Sequence, residues 1–220
     1  MGTQLCHTRR GVALDAIIQN RKQRWQNFLV NKDAGHLFLI HYQPDDEILP
    51  LPWRQLKQER IDWAWRQYEK QRARLTWLED DALPYLHVRT GTEIFAEAFG
   101  CPVYYPDDNM PFALPLIHSA REVSGLKIPD LSTSSIAYLF DMADTLVERA
   151  GPGALLQIID IQSPMDIAAL IWDKLTFYPA LVEAPEAVLE LADKVKQFYV
   201  SVLDTWFERY GVEFIAHYPA

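Results

Sequence analysis

Residues 155–172 read LLQIIDIQSPMDIAALIW. The first eight form an apolar run interrupted only by Gln157, Asp160 and Gln162, the length of a strand buried on both faces. Ser163, Pro164 and Asp166 follow at the spacing of a helix cap, a first helical residue and the third residue of a capping box. The spacing therefore predicts a helix from Pro164. A buried strand running into a capped helix is the repeating unit of a parallel α/β sheet. Asp160 and Gln162 have the same parity, so on a strand they share a face at its C-terminal end.

Three further segments resemble that strand: HLFLIHYQ (36–43), LPYLHVRT (83–90) and VEFIAHYPA (212–220). Between them the periodicity predicts helices over 11–30, 54–78, 92–100, 119–126 and 132–151, and a long one opened by Pro185. Ser and Thr residues stand in front of the 132–151 helix as caps, and Gly100 and Gly151 end two of the helices. On 54–78, Ile61, Trp65, Tyr68, Arg72 and Leu75 trace one stripe, which reads as packing. Residues 101–115 form a proline-rich loop with a short strand at 103–105.

Strands alternating with helices leave two layouts, an open doubly wound sheet and a TIM-type (β/α)8 barrel. No GxGxxG or GxxxxGK[ST] follows any strand, which removes the nucleotide-binding form of the open sheet and favours the barrel. Residues 1–220 read as one α/β barrel domain, with 1–35 a helical lead-in.

The net charge of -9 argues against nucleic acid as a partner. Residues 1–75 carry 13 Lys/Arg against 8 Asp/Glu, so the acidic excess lies in the remainder. That basic front suits an acidic small molecule, or simply a solvated helical face. There is no apolar segment of membrane-spanning length and no signal-peptide pattern near the start, so the expectation is a cytoplasmic protein without a membrane partner. Cys6 and Cys101 sit in no CxxC and no zinc-like cluster, so no metal ligands are assigned; Cys101 reads as a packed thiol.

Function in parallel sheets collects at strand C-terminal ends. There the four segments present His41 and Tyr42, His87 and Arg89, Asp160 and Gln162, and His217 and Tyr218. Arginine can pair a substrate carboxylate with two hydrogen bonds, aspartate can hold N–H donors, and histidine titrates near neutrality. Asp160, His217 and Arg89 are the candidate catalytic residues; His41, Tyr42, Gln162, His87 and Tyr218 are candidate substrate contacts. The alternative is that strand ends are polar because they meet loops. No GxSxG elbow points to a hydrolase, and Asp107-Asp108-Asn109 reads as a solvated turn.

GTEIFAEAFGCPV (91–103), PDDNMPFALP (106–115), DIQSPMDIAALIWDK (160–174) and LVEAPEAVLELADKVKQF (181–198) resemble the uroporphyrinogen decarboxylase superfamily. That group includes the tetrapyrrole decarboxylase and the corrinoid-dependent methyltransferases. RKQRWQNFLVNKDAGHLFLIHY (21–42) is similar to its first helix and strand. The resemblance implies a TIM-type barrel with its site at the strand C-termini and a decarboxylation that needs no cofactor. In that reaction a carboxylate holds pyrrole N–H groups while ring protonation makes the electron sink. The chain departs from the decarboxylase motifs. Its arginine motif is replaced by HYQPDDEILPLP (41–52); its catalytic aspartate position reads Gly91-Thr92-Glu93, where only Glu93 with a shifted register could substitute; and its tyrosine falls near Leu170. The methyltransferase branch implies zinc and corrinoid, with zinc ligands downstream of Ala220.

The four strand candidates are centred near residues 40, 86, 158 and 214, about 58 apart. Eight at that spacing exceed the ~250 residues of a usual barrel. The last strand has no helix after it, which leaves an apolar edge. The expectation is a C-terminally truncated barrel, about the first half to two-thirds. A second copy or a partner chain would cover that edge. A non-catalytic half-barrel is the alternative to an enzyme.

Overall fold

The computed structural model describes residues 2–30, 35–40, 48–212 and 215–216, with backbone alone for 2–13 and 215–216. It is a helix-rich α/β fold with few strands. Three short parallel strands make the sheet: β1 (Tyr85–His87), β4 (Leu155–Gln157) and β5 (Ile215–Ala216), in the order β1-β4-β5. The register pairs Tyr85 with Leu155, Leu86 with Leu156 and His87 with Gln157; Leu156 and Gln157 then pair with Ile215 and Ala216. An antiparallel hairpin, β2 (Val103–Tyr104) with β3 (Phe112–Ala113), stands apart from it.

The helices follow from local chemistry. Helix α6 (Pro164–Ile171) begins as its sequence predicts: Ser163 Oγ accepts from the Asp166 N–H at 3.1 Å, and an Asp166 oxygen accepts from the Ser163 N–H at 3.3 Å. Helix α8 (Pro185–Tyr210) buries Val188, Leu191, Val195, Phe198, Val202 and Trp206, a spacing of three and four that lays one stripe along it. Helix α2 (Lys57–Arg74), entered through a 3-10 turn at Arg54–Leu56, buries Ile61, Ala64 and Tyr68 in the same way. Helices α1 (Gly2–Val30), α3 (Ile94–Ala98), α4 (Ala120–Val123), α5 (Ala137–Ala150) and α7 (Lys174–Glu183) complete the set. Among the described residues no helix is long and apolar enough to cross a membrane.

Leu86 and Val88 from β1 and its extension, and Leu156 and Ile158 from β4 and its extension, meet α2, α5, α6 and α8 in one core. The other sheet face is covered near its start by α1, where Ile18 and Trp25 pack on Leu83, Tyr85 and Leu155. Arg21 anchors α1 there, donating to Asp80 Oδ1 (2.6 Å), Ala82 O (2.6 Å) and Leu78 O (2.7 Å).

Three expectations are corrected. Residues 36–40, the described part of the HLFLIHYQ segment, form no strand. Phe38 N–H donates to Asp81 Oδ2 (2.8 Å) and Asp81 N–H to Phe38 O (2.7 Å), so an acidic loop takes the backbone groups a ladder would need. The serines and threonine before α5 do not cap it. Ile136 is the cap residue, and Ser132 turns back to Asp130 Oδ1 at 2.7 Å. The paired part of LLQIIDIQ ends at Gln157, so strand parity does not govern Asp160 and Gln162.

Arg21→Ala leaves Asp80, 7% exposed, buried without its cation. The expected loss is about 3–5 kcal/mol of unfolding free energy, read from urea denaturation, with helical content retained in the folded protein.

Candidate functional site

The chain leaves β1 through Val88, Arg89 and Thr90 and turns at Gly91 toward α3; it leaves β4 through Ile158, Ile159 and Asp160 toward α6. The two exits are tied where Asp160 N–H donates to Thr90 Oγ1 at 3.1 Å. This tie brings Glu93 and Asp160 into electrostatic range of each other.

Glu93 is 3% exposed, and its Oε2 is buried without a hydrogen-bond partner. The side chain folds back over Gly91: a Cβ there would lie 2.0 Å from Glu93 Oε2, so this position admits glycine alone without a rearrangement. Burial pushes the Glu93 carboxyl up to about 7; Glu97 and Asp160 add to the rise, while its own backbone N–H and Arg60 oppose it. It is a carboxylic acid poised near neutral pH. Asp160, exposed at its rim, is also raised by partial burial.

On the strand before it, His87 is held down to about 4 by burial first and by the Arg89 charge second. A histidine titrating near neutrality is therefore not what this position supplies; the ring is neutral and offers one donor and one acceptor. Arg89 is half-buried, its guanidinium lowered by burial, and that guanidinium makes no hydrogen bond or ion pair among the described residues. His87 and Gln157 are register partners on the face opposite the helical core, and Gln157 Oε1 is buried without a partner. Gln162 is half-buried, and its Oε1 is likewise unpartnered. Unmade hydrogen bonds at buried polar atoms are uncommon in folded proteins, and each calls for a partner, a water or ion, or a functional role.

Of the residues read from the sequence, Arg89, His87, Asp160 and Gln162 stand on the two adjacent strand exits. His41, Tyr42, His217 and Tyr218 lie outside the described residues. Sequence reasoning missed Arg60 and Gln157 and gave Glu93 only a substitute's part. Arg60, on α2, is 4% exposed and donates to the backbone oxygen of Arg89 at 2.6 Å, holding the β1 exit from below. The one signal for Gln157 was a polar residue inside an otherwise apolar strand. Arg60 carried none, being one charge among many on its helix. Cys101 is a packed thiol as expected, buried and pushed up to about 12.

A family model described as Uroporphyrinogen decarboxylase (URO-D) matches residues 89–217, from the Arg89 exit to the far end of the sheet. A solved structure of a methyltransferase from Methanosarcina mazei is similar at a TM-score of 0.49 and 13% sequence identity. That superposition covers 67% of this chain and 42% of the other, so the matched part is less than half of that protein's length. No curated protein matches the chain.

The Glu93 carboxyl sets a pH dependence of stability. Between its ordinary value near 4.5 and about 7 the unfolded chain has released a proton that the folded chain keeps, so stability falls as pH rises through that window. Glu93→Gln removes the dependence. The variant should match the parent near pH 4 and exceed it by about 3 kcal/mol near pH 8, as read from urea titrations at the two pH values.

Proposed function

Because the chain belongs to the uroporphyrinogen decarboxylase family, we propose that it is a segment of a (β/α)8 barrel that works as a uroporphyrinogen decarboxylase-like enzyme. Its substrate in this reading is a tetrapyrrole or a related small carboxylated molecule, and the reaction uses no cofactor. One observation carries the reading: Glu93, a buried carboxylic acid with an unpartnered oxygen and a proton affinity near neutral pH, at the C-terminal exit of a parallel strand.

The roles follow from the chemistry. Glu93 gives its proton to a ring carbon, and the cationic ring becomes the electron sink. The bond to the leaving carboxylate breaks, its electron pair enters the ring, and CO2 departs. A solvent proton then fills the vacated carbon, and the ring proton returns to Glu93, so each CO2 released consumes one proton. Asp160 holds the ring N–H groups and balances the cation. Arg89, without an anionic partner among the described residues, takes a substrate carboxylate. Gln157, Gln162 and neutral His87 complete the contacts, with His217, His41, Tyr42 and Tyr218 proposed to add theirs.

The alternative, the methyltransferase branch, implies zinc and corrinoid, with its zinc ligands downstream of Ala220. Among the described residues no group of three His, Cys, Asp or Glu side chains could hold a metal ion, and the Cys101 thiol is buried and kept protonated. No step is routed through zinc or corrinoid.

The test is anaerobic incubation of the protein with uroporphyrinogen, with CO2 and the less carboxylated products quantified. Glu93→Gln should lower kcat by about 100-fold or more with KM little changed. Arg89→Gln should act chiefly on KM. Absence of CO2 above the blank sinks the decarboxylase reading. Methyl transfer from methylcobalamin to a thiol, requiring stoichiometric zinc, would put the methyltransferase reading in its place; binding without turnover would leave the non-catalytic one.

A further inference from the structure

Arg60 is a buried cation whose acceptors are all neutral. Its Nη1 donates to Trp53 O at 3.3 Å and Tyr138 Oη at 3.2 Å, and its Nη2 to Arg89 O at 2.6 Å. A guanidinium has five N–H donors, so two remain unassigned. Among the described residues no carboxylate lies in ion-pair distance of it. A charge this deep, 4% exposed, is costly without a counter-ion.

The surroundings repeat the pattern. Arg54 is exposed, lies 4.8 Å over the Tyr138 ring and donates to Ser135 O at 3.0 Å, again without an acid. Trp53 Nε1 and Ser135 Oγ are buried and unpartnered. Tyr105 packs edge-on against Trp53 at 6.1 Å and, 36% exposed, lies at the surface with Arg54. Two guanidinium groups, two unused neutral donors and aromatic walls describe a receptor for a planar organic anion.

The acid on which the Arg60 charge acts is Glu93, with its oxygen unpartnered; Glu97 on α3 and Asp160 beyond β4 act on Glu93 in turn. Glu93 alone of these is buried. It folds back over Gly91 and makes no ion pair with Arg60, yet the Arg60 charge acts on it and favours its ionised form.

We propose that the space around Arg60 is a carboxylate-binding subsite gated by Glu93: the ligand's carboxylate takes the two free N–H groups of Arg60, and the ionised Glu93 side chain is its competitor. Binding and proton uptake by Glu93 are then linked, and an arriving carboxylate loads the proton on the acid. The inference shares Glu93 with the function proposed above but needs no turnover.

Succinate, ionised at both ends across most of the range, is the probe. It is titrated calorimetrically into the full chain from about pH 6.5 to about pH 9, in buffers of differing ionisation heat. Affinity should fall about tenfold per pH unit above about 7, with proton uptake visible as buffer-dependent heat. Glu93→Gln should bind succinate with an affinity independent of pH. Arg60→Lys should weaken binding at least about tenfold while keeping a cooperative melt. Undetectable binding, a pH-independent affinity in the parent, or an unaltered pH profile in Glu93→Gln overturns the proposal. So does full affinity in folded Arg60→Lys. If Arg60→Lys does not fold, the Glu93→Gln profile decides alone. None of these readouts depends on CO2 release, so the subsite and the decarboxylation stand or fall separately.

Discussion

The parallel pairing of β1 with β4 is the constraint on which the rest depends. Its register sets Leu86 against Leu156 on the face that meets α2, α5, α6 and α8, and sets His87 against Gln157 on the other. A slip of one residue would turn the leucines outward and the polar pair into the core, so the hydrophobic burial that drives folding also aligns the polar row. The two exits leave this ladder at the same height, which lets Thr90 Oγ1 accept from the Asp160 N–H and brings Glu93 into Asp160's field.

Desolvation does the chemical tuning. Glu93 is pushed toward its protonated form and His87 toward its unprotonated form by the same cause, because burial disfavours whichever form is charged. The exit of β1 thus carries a neutral imidazole and a carboxyl poised near pH 7, next to the guanidinium groups of Arg60 and Arg89. Arg60 and Arg89 place two guanidinium groups beside the carboxyl groups of Glu93, Glu97 and Asp160, in a protein whose net charge is -9.

Much of the fold was legible where neighbours in sequence decide the outcome. The start of α6 at Pro164, the opening of α8 at Pro185 and the end of α5 at Gly151, with φ 80, are local events. HLFLIHYQ misled because an apolar run says nothing about which partner takes its backbone, and here Asp80 and Asp81, some forty residues on, do so. The hydroxyls before α5 misled for a related reason: Asp130 offered a nearer turn than the helix N-terminus. At the site, Arg89 and Asp160 were readable because strand ends are predictable places. Glu93 drew less weight because its importance rests on depth, which no residue type displays.

The sequence by itself determined the alternation of apolar strands with capped helices, the family likeness over the matched residues, and the polar character of the strand ends. Each is written in nearest-neighbour chemistry or in a period of two or 3.6 residues. Tertiary structure alone decided which polar groups became functional candidates. Burial gave Glu93 a proton near pH 7 and took one from His87; the crossing of α2 beneath Arg89 gave Arg60 three neutral acceptors and no acid; strand register put an unpartnered Gln157 beside His87. Proton affinity and unmet hydrogen bonds depend on what surrounds a group in space, and those surroundings come from segments tens of residues away.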